Sequence, residues 1–143
     1  KGAPTPDISS PDALKRALLA AKSIGYSTGP SGLYMLSVFE KMGIADQVKG
    51  KLKQTPSGVF VGTLIANGDA EIGFQQISEL VHFAGIDYVG PLPGNLQRMT
   101  MFSTGIHSGA KQADAAKALV KFITAPSAAS VIRKHGLEPG SQM

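Results

Sequence analysis

Ser27-Thr28-Gly29-Pro30-Ser31-Gly32-Leu33-Tyr34-Met35-Leu36, read STGPSGLYML, is the stretch on which the fold turns. It joins an apolar run at 23–26 that reads as a strand to a run at 31–42 with helical spacing. A strand that enters a helix through a short turn is the unit from which parallel sheets are built. No side chain in the turn carries a charge. A helix start nonetheless offers up to four unpaired N–H groups and about half a positive charge, enough to hold an anion without a cation. Gly29 and Gly32 would let a ligand approach the backbone, and Ser27, Thr28 and Ser31 would add neutral donors. Serine, proline and glycine are equally the ordinary residues of a helix cap, so this loop alone leaves both readings open.

Upstream, Ser10-Pro11-Asp12 supplies an N-cap, a first-turn proline and a first-turn acid. Leu14, Ala17, Leu18 and Ala21 follow at helical spacing. Downstream, Gly43 closes the second helix, 44–49 reads as a further helical turn, and 51–54 as a brief strand. Pro56-Ser57-Gly58 reads as the opening of a third helix that runs to Asn67. Residues 70–74 read as a strand, 77–81 as a helical turn, and 86–89 and 99–106 as further strands. Residues 111–124 form an amphipathic helix that would bury Ala115, Ala116, Leu119, Val120 and Ile123 on one stripe, and 126–134 a last helix. This alternation predicts an α/β fold, a mostly parallel sheet flanked by helices. The irregular Gly90-Pro91-Leu92-Pro93-Gly94 divides the chain into 1–92, an α/β lobe, and 93–143, a hinge strand with C-terminal helices.

In an open parallel sheet, ligands bind beyond the carboxyl ends of the strands. Three segments have that address: 26–32, then 54–59 with Ser57, Gly58 and Val59, then 74–78 with Gln75 and Gln76. All are rich in hydroxyl, amide and glycine, and none contains lysine, arginine or histidine. One neutral hydrogen bond contributes about 0.5–1.5 kcal/mol net. Micromolar binding requires about 8 kcal/mol, so several donors must converge.

Other chemistry finds little support. His82, His107 and His135 lie far apart without an i,i+4 pair, so no metal site is expected. There is neither a Gly-x-Ser-x-Gly elbow nor a phosphate loop, and no catalytic residue is assigned. Glu71 falls within a strand and Glu79 beyond it, so both read as surface acids rather than an acid/base pair. Tyr26 and Tyr34 would line a cleft or be partly buried.

Of the 143 residues, 43% are hydrophobic and 17% charged, the balance of a globular domain. The net charge is +4, its 14 basic residues are scattered, and tryptophan is absent, which argues against nucleic acid as a partner. Zero cysteines exclude a thiol nucleophile and any disulfide, and fit an oxidising compartment such as the periplasm. No apolar stretch approaches the ~18 residues of a membrane span. The opening Lys1-Gly2-Ala3-Pro4 is not a secretory leader, so the chain reads as a mature protein or a fragment.

Several stretches, taken in order, resemble the molybdate-type substrate-binding proteins of ABC importers. They are Pro6-Asp7-Ile8-Ser9-Ser10-Pro11-Asp12-Ala13-Leu14-Lys15, Ala21-Lys22-Ser23-Ile24-Gly25-Tyr26 and Pro30-Ser31-Gly32. Gly68-Asp69-Ala70-Glu71-Ile72-Gly73, Gly90-Pro91-Leu92-Pro93, Ala125-Pro126-Ser127-Ala128-Ala129 and His135-Gly136-Leu137 continue the match over essentially the whole chain. The resemblance implies a type 2 periplasmic binding fold, whose two α/β lobes close on a small anion. It further implies a periplasmic location, a membrane permease as partner, no cofactor and no catalysis. It assigns backbone N–H donors to Ser31 and to Gly58, beside Val59, and puts Gln76 where the family carries a tyrosine hydroxyl.

A glutamine amide donates or accepts, so a small organic acid stands beside a molybdate-like oxyanion as the expected ligand. The resemblance implies a first lobe that precedes this region in family members and that is expected to be missing from this chain. Residues 1–92 resemble the second lobe, and 93–143 the segment that returns to the first. With that lobe missing, the apolar stripe at 111–124 would be bare, and a homodimer through the C-terminal helices is expected. The alternative is a ligand-sensing effector domain of a transcription regulator, which shares the fold. A lyase or dehydratase on the same fold would need a charged residue in the three loops.

Overall fold

The computed structural model describes residues 1–140. The chain forms two compact units, Lys1–Arg98 and a second that begins at Met99. In the first, helix α1 (Pro11–Ala20) leads to strand β1 (Ile24–Tyr26), helix α2 (Pro30–Lys41), helix α3 (Ala45–Val48) and strand β2 (Leu52–Gln54). Helix α4 (Val61–Ala66), strand β3 (Ile72–Phe74) and the single turn α5 (Ile77–Leu80) follow. The second unit holds α6 (Ala113–Ile123) and α7 (Ala129–Lys134). The architecture is α/β around a parallel sheet, as the alternation predicts.

The sheet runs β2-β1-β3, all parallel. Ile24 pairs with Leu52 and Ile72, and Tyr26 with Gln54 and Phe74. This register makes the three strands end level, so the chains leaving them emerge side by side. The order also places the β1–β2 and β2–β3 crossovers on opposite faces, because parallel crossovers are right-handed.

The middle residue of β1 and β3 explains the packing of α4. Gly25 and Gly73 sit opposite each other and face that helix. A Cβ on Gly73 would come within 2.5 Å of the Val61 side chain, so a glycine pair is what admits α4 to the sheet. On the other face, Ile24 joins Leu14 and Leu18 of α1, Met35, Val38 and Phe39 of α2, and Ile44, Val48 and Leu96 in one core. Burying each large side chain contributes about 1.5–3 kcal/mol. Phe39 meets Phe74 edge to face at 6.4 Å.

The helix ends are closed by side chains. Ser10 Oγ accepts from the Ala13 N–H at 3.1 Å at the start of α1. Lys51 donates to the Leu19 and Ala21 carbonyls at its end, and Lys15 donates to the Met42 carbonyl after α2. These scattered lysines therefore serve helix C-termini, where cations are favoured. Tyr34 donates its hydroxyl to the Leu96 carbonyl at 2.8 Å, with Arg98 stacked over its ring. This tyrosine anchors the 94–96 turn rather than lining a cleft.

Three sequence expectations are corrected here. The helix expected to open at Pro56-Ser57-Gly58 and run to Asn67 spans only Val61–Ala66, because 56–59 closes into a turn that excludes helical dihedrals. Residues 86–89 and 99–106 form no strand: the N-terminal Lys1 and Gly2 meet 85–87 only through the Gly85 carbonyl and the Asp87 side chain, and 99–106 have no backbone ladder among the described residues. The apolar stripe expected to be buried on α6 is not: that helix contains no buried residue, and Leu119 and Phe122 are 60% and 72% exposed. No single helix among the described residues is long and apolar enough to cross a membrane.

Candidate functional site

The first loop leaves β1 at Tyr26. Ser27 is buried, and its hydroxyl lies 3.1 Å from that of Ser31. At the start of α2, the Gly32 and Leu33 N–H groups both donate to the Gly29 carbonyl, and Pro30 has no N–H. Among the described residues the Ser31 N–H has no acceptor, so it is the donor this twelve-residue helix leaves for a ligand. Gly32 itself is buried. The space a Cβ would need there is filled by the Ser27 backbone, so the glycine serves the folding of the loop onto the helix.

The second loop leaves β2 at Gln54, where the Thr55 N–H donates to the Tyr26 carbonyl at 2.9 Å. The Val59 N–H then donates to the Pro56 carbonyl at 3.2 Å, closing a turn with Ser57 and Gly58 at its tip. Gly58 has φ +78, which a type II turn requires at that position. The turn consumes the Val59 N–H but leaves those of Ser57 and Gly58 without an acceptor among the described residues.

The third loop leaves β3 at Phe74. The Gln75 side-chain oxygen accepts the Val61 N–H at 2.7 Å and so caps α4 from a neighbouring loop. Gln76 and Glu79 form a capping box: the Gln76 side chain accepts from the Glu79 backbone, and the Glu79 carboxylate accepts the Gln76 N–H at 3.3 Å. In both glutamines the amide oxygen is engaged, which leaves the NH2 groups as donors.

The three loops share one pocket of about 300 Å3. Ser27, Thr28, Ser31, Ser57, Gly58, Val59 and Gln76 all line it, while Gly32 does not. Gly29, Pro30, Phe60, Gln75 and Glu79 complete the lining. Among the described residues no lysine, arginine or histidine belongs to it.

Sequence reasoning missed Glu79 and Phe60. The signal for Glu79 was the Gln76-x-x-Glu79 spacing of a capping box, which ties that acid to the third loop. Phe60 gave no signal, because its place depends on an edge-to-face contact with Phe83 at 6.1 Å. Glu71 lies at the other end of β3 from Glu79, and its carboxylate accepts the Lys22 N–H at 2.7 Å. The two acids are therefore not a catalytic pair.

A second hollow, of about 290 Å3, lies between the start of α1 and the end of α2. Lys15, Lys41 and Asn95 line it, but Lys15 is committed to the Met42 carbonyl.

Comparison with known proteins follows the same outline. The aconitate isomerase of a Pseudomonas species is 39% identical over 140 residues, which is 97% of this chain and 53% of that protein. The molybdate-binding protein ModA of Azotobacter vinelandii is 29% identical over 111 residues, 76% of this chain and 44% of that protein. The chain thus spans about half the length of these curated relatives. No solved structure gives a significant match. The family model for bacterial extracellular solute-binding proteins matches residues 1–138. With a parallel sheet whose three strand ends open on one shared pocket, the chain belongs to the family of bacterial extracellular solute-binding proteins.

Proposed function

We propose that this chain is the ligand-capturing lobe of a solute-binding protein of an ABC importer, working in the periplasm and delivering a small anion to a membrane permease. The anion, a molybdate-like oxyanion or a small organic acid, is held by the Ser31 and Gly58 N–H groups, the Ser27, Thr28 and Ser57 hydroxyls and the Gln76 NH2. The observation that carries the reading is that three loops from level strand ends line one cation-free pocket rich in neutral donors. Peptide N–H groups aimed at one point hold an anion without the desolvation cost of a buried counter-charge.

Residues 1–92 act as the second lobe of that protein and 93–143 as the segment returning to a first lobe, against which the exposed apolar face of α6 would pack. In isolation, two copies pair through this face.

A second reading comes from the relative named aconitate isomerase. That name supports an organic acid as ligand, and it adds catalysis to what the sequence reading expected to be binding alone.

Calorimetric titration with molybdate, sulfate and small carboxylates tests the capture reading. Gln76→Leu should weaken the bound anion roughly ten- to hundredfold, the value of one hydrogen bond to a charged group. Binding unaffected by Gln76→Leu contradicts the reading. Proton magnetic resonance of the protein incubated with cis-aconitate tests the second one, which requires the trans isomer to accumulate.

A further inference from the structure

Among the described residues, Glu79 is the single ionisable side chain lining the three-loop pocket. The capping box holds it there, since its carboxylate accepts the Gln76 N–H while its own backbone N–H goes to the Gln76 side chain. The other polar side chains and free N–H groups of the lining can all donate: the hydroxyls, which also accept, the free N–H groups, and the NH2 groups of Gln75 and Gln76. The Glu79 carboxylate is the one side chain of this lining that accepts without donating, so the pocket favours a ligand that is mostly acceptor but carries a donor to meet it. A fully deprotonated tetrahedral oxyanion brings only acceptors and negative charge to the Glu79 carboxylate, and both work against it. A hydroxyl would instead form a short O–H···O⁻ bond, among the stronger hydrogen bonds available.

The apolar part of the lining points the same way. Val59 and Phe60 line the pocket and are 37% and 46% exposed as whole residues. A carbon skeleton would cover them, whereas an inorganic anion offers nothing to bury. We infer that Glu79 is a specificity residue that accepts the hydroxyl of a small hydroxy acid, whose carboxylate is held by the Ser31 and Gly58 N–H groups. It also discriminates against inorganic oxyanions. This inference rests on the anion-capture reading and names its ligand class.

The test is calorimetric titration of the protein and of Glu79→Gln with malate, succinate and molybdate. Malate and succinate differ by one hydroxyl, so their affinity ratio reads the Glu79 contact directly. Glutamine preserves the capping box, and a melting curve confirms that the variant is folded. The expected result is malate bound at least tenfold more tightly than succinate, with Glu79→Gln shrinking that ratio several-fold and tightening molybdate. Glu79→Asp, which keeps the charge but shortens the reach, should lose the malate preference while molybdate stays weak. A malate-to-succinate ratio unchanged in both variants, with some anion still bound, overturns the role of Glu79 and leaves anion capture standing. Failure of all three compounds to bind the parent protein overturns anion capture itself and this inference with it.

Discussion

A methyl group on Gly32 would lie 1.7 Å from the Ser27 carbonyl oxygen, far inside any tolerated contact. Because the obstructing atom is backbone, no side-chain rotation relieves it. Gly32→Ala must therefore push the first loop off α2, and with it the Ser27–Ser31 hydroxyl pair. The expected cost is at least about 3 kcal/mol of stability, the upper range for overpacking. Gly29→Ala, whose nearest neighbour would be the Ser27 hydroxyl at 3.7 Å, should change stability by less than about 0.5 kcal/mol. Thermal melting of the two variants checks the contrast.

Gly58 presents the opposite case, an open space with a demanding backbone. A Cβ there would touch nothing within 4 Å, but φ is +78. Gly58→Ala should therefore cost about 1–2 kcal/mol through left-handed strain. If the strained turn flattens, the Ser57 and Gly58 N–H groups turn away from the pocket. Anion affinity should then fall more than a melting shift alone implies, and paired melting and calorimetry measure both.

Thr55 is 2% exposed, and its hydroxyl is buried with no hydrogen-bond partner among the described residues. Orphaning such a group costs roughly 1–3 kcal/mol. Thr55→Val keeps the shape and removes the hydroxyl, so it should raise the melting temperature. A fall would reveal a buried water or ligand bonded to Oγ1.

On α6, Leu119 and Phe122 are 60% and 72% exposed, and α7 adds Val131 at 57%. Faces of this kind associate in water. Light scattering of the isolated chain should give a dimer mass that Leu119→Glu with Phe122→Glu returns to a monomer. A monomer in the parent chain contradicts pairing through these helices.

Much of the fold was legible because local signals agreed. Ser10-Pro11-Asp12 placed the start of α1, Gly43 the end of α2, and the three loops were identified by their position after short strands. What failed depended on partners that one segment cannot reveal. Residues 99–106 have strand-forming side chains, yet strand propensity expresses packing against neighbours that are missing there. Pro56-Ser57-Gly58 has helix-start chemistry, but the left-handed glycine makes it a turn. At the site, hydroxyl and glycine residues were visible because their chemistry is local. The engagement of the Gln75 and Gln76 oxygens was not, because one depends on Val61 fourteen residues away and the other on a cap formed only when α5 turns.

Titrating 15N-labelled protein with malate and with molybdate, and following every amide, tests the shared anion pocket most directly. The account predicts that the largest shifts fall on the Ser31, Ser57 and Gly58 backbone amides and on the Gln76 side-chain NH2. Shifts centred instead on Lys15, Lys41 and Asn95, with those four signals unmoved, would contradict it.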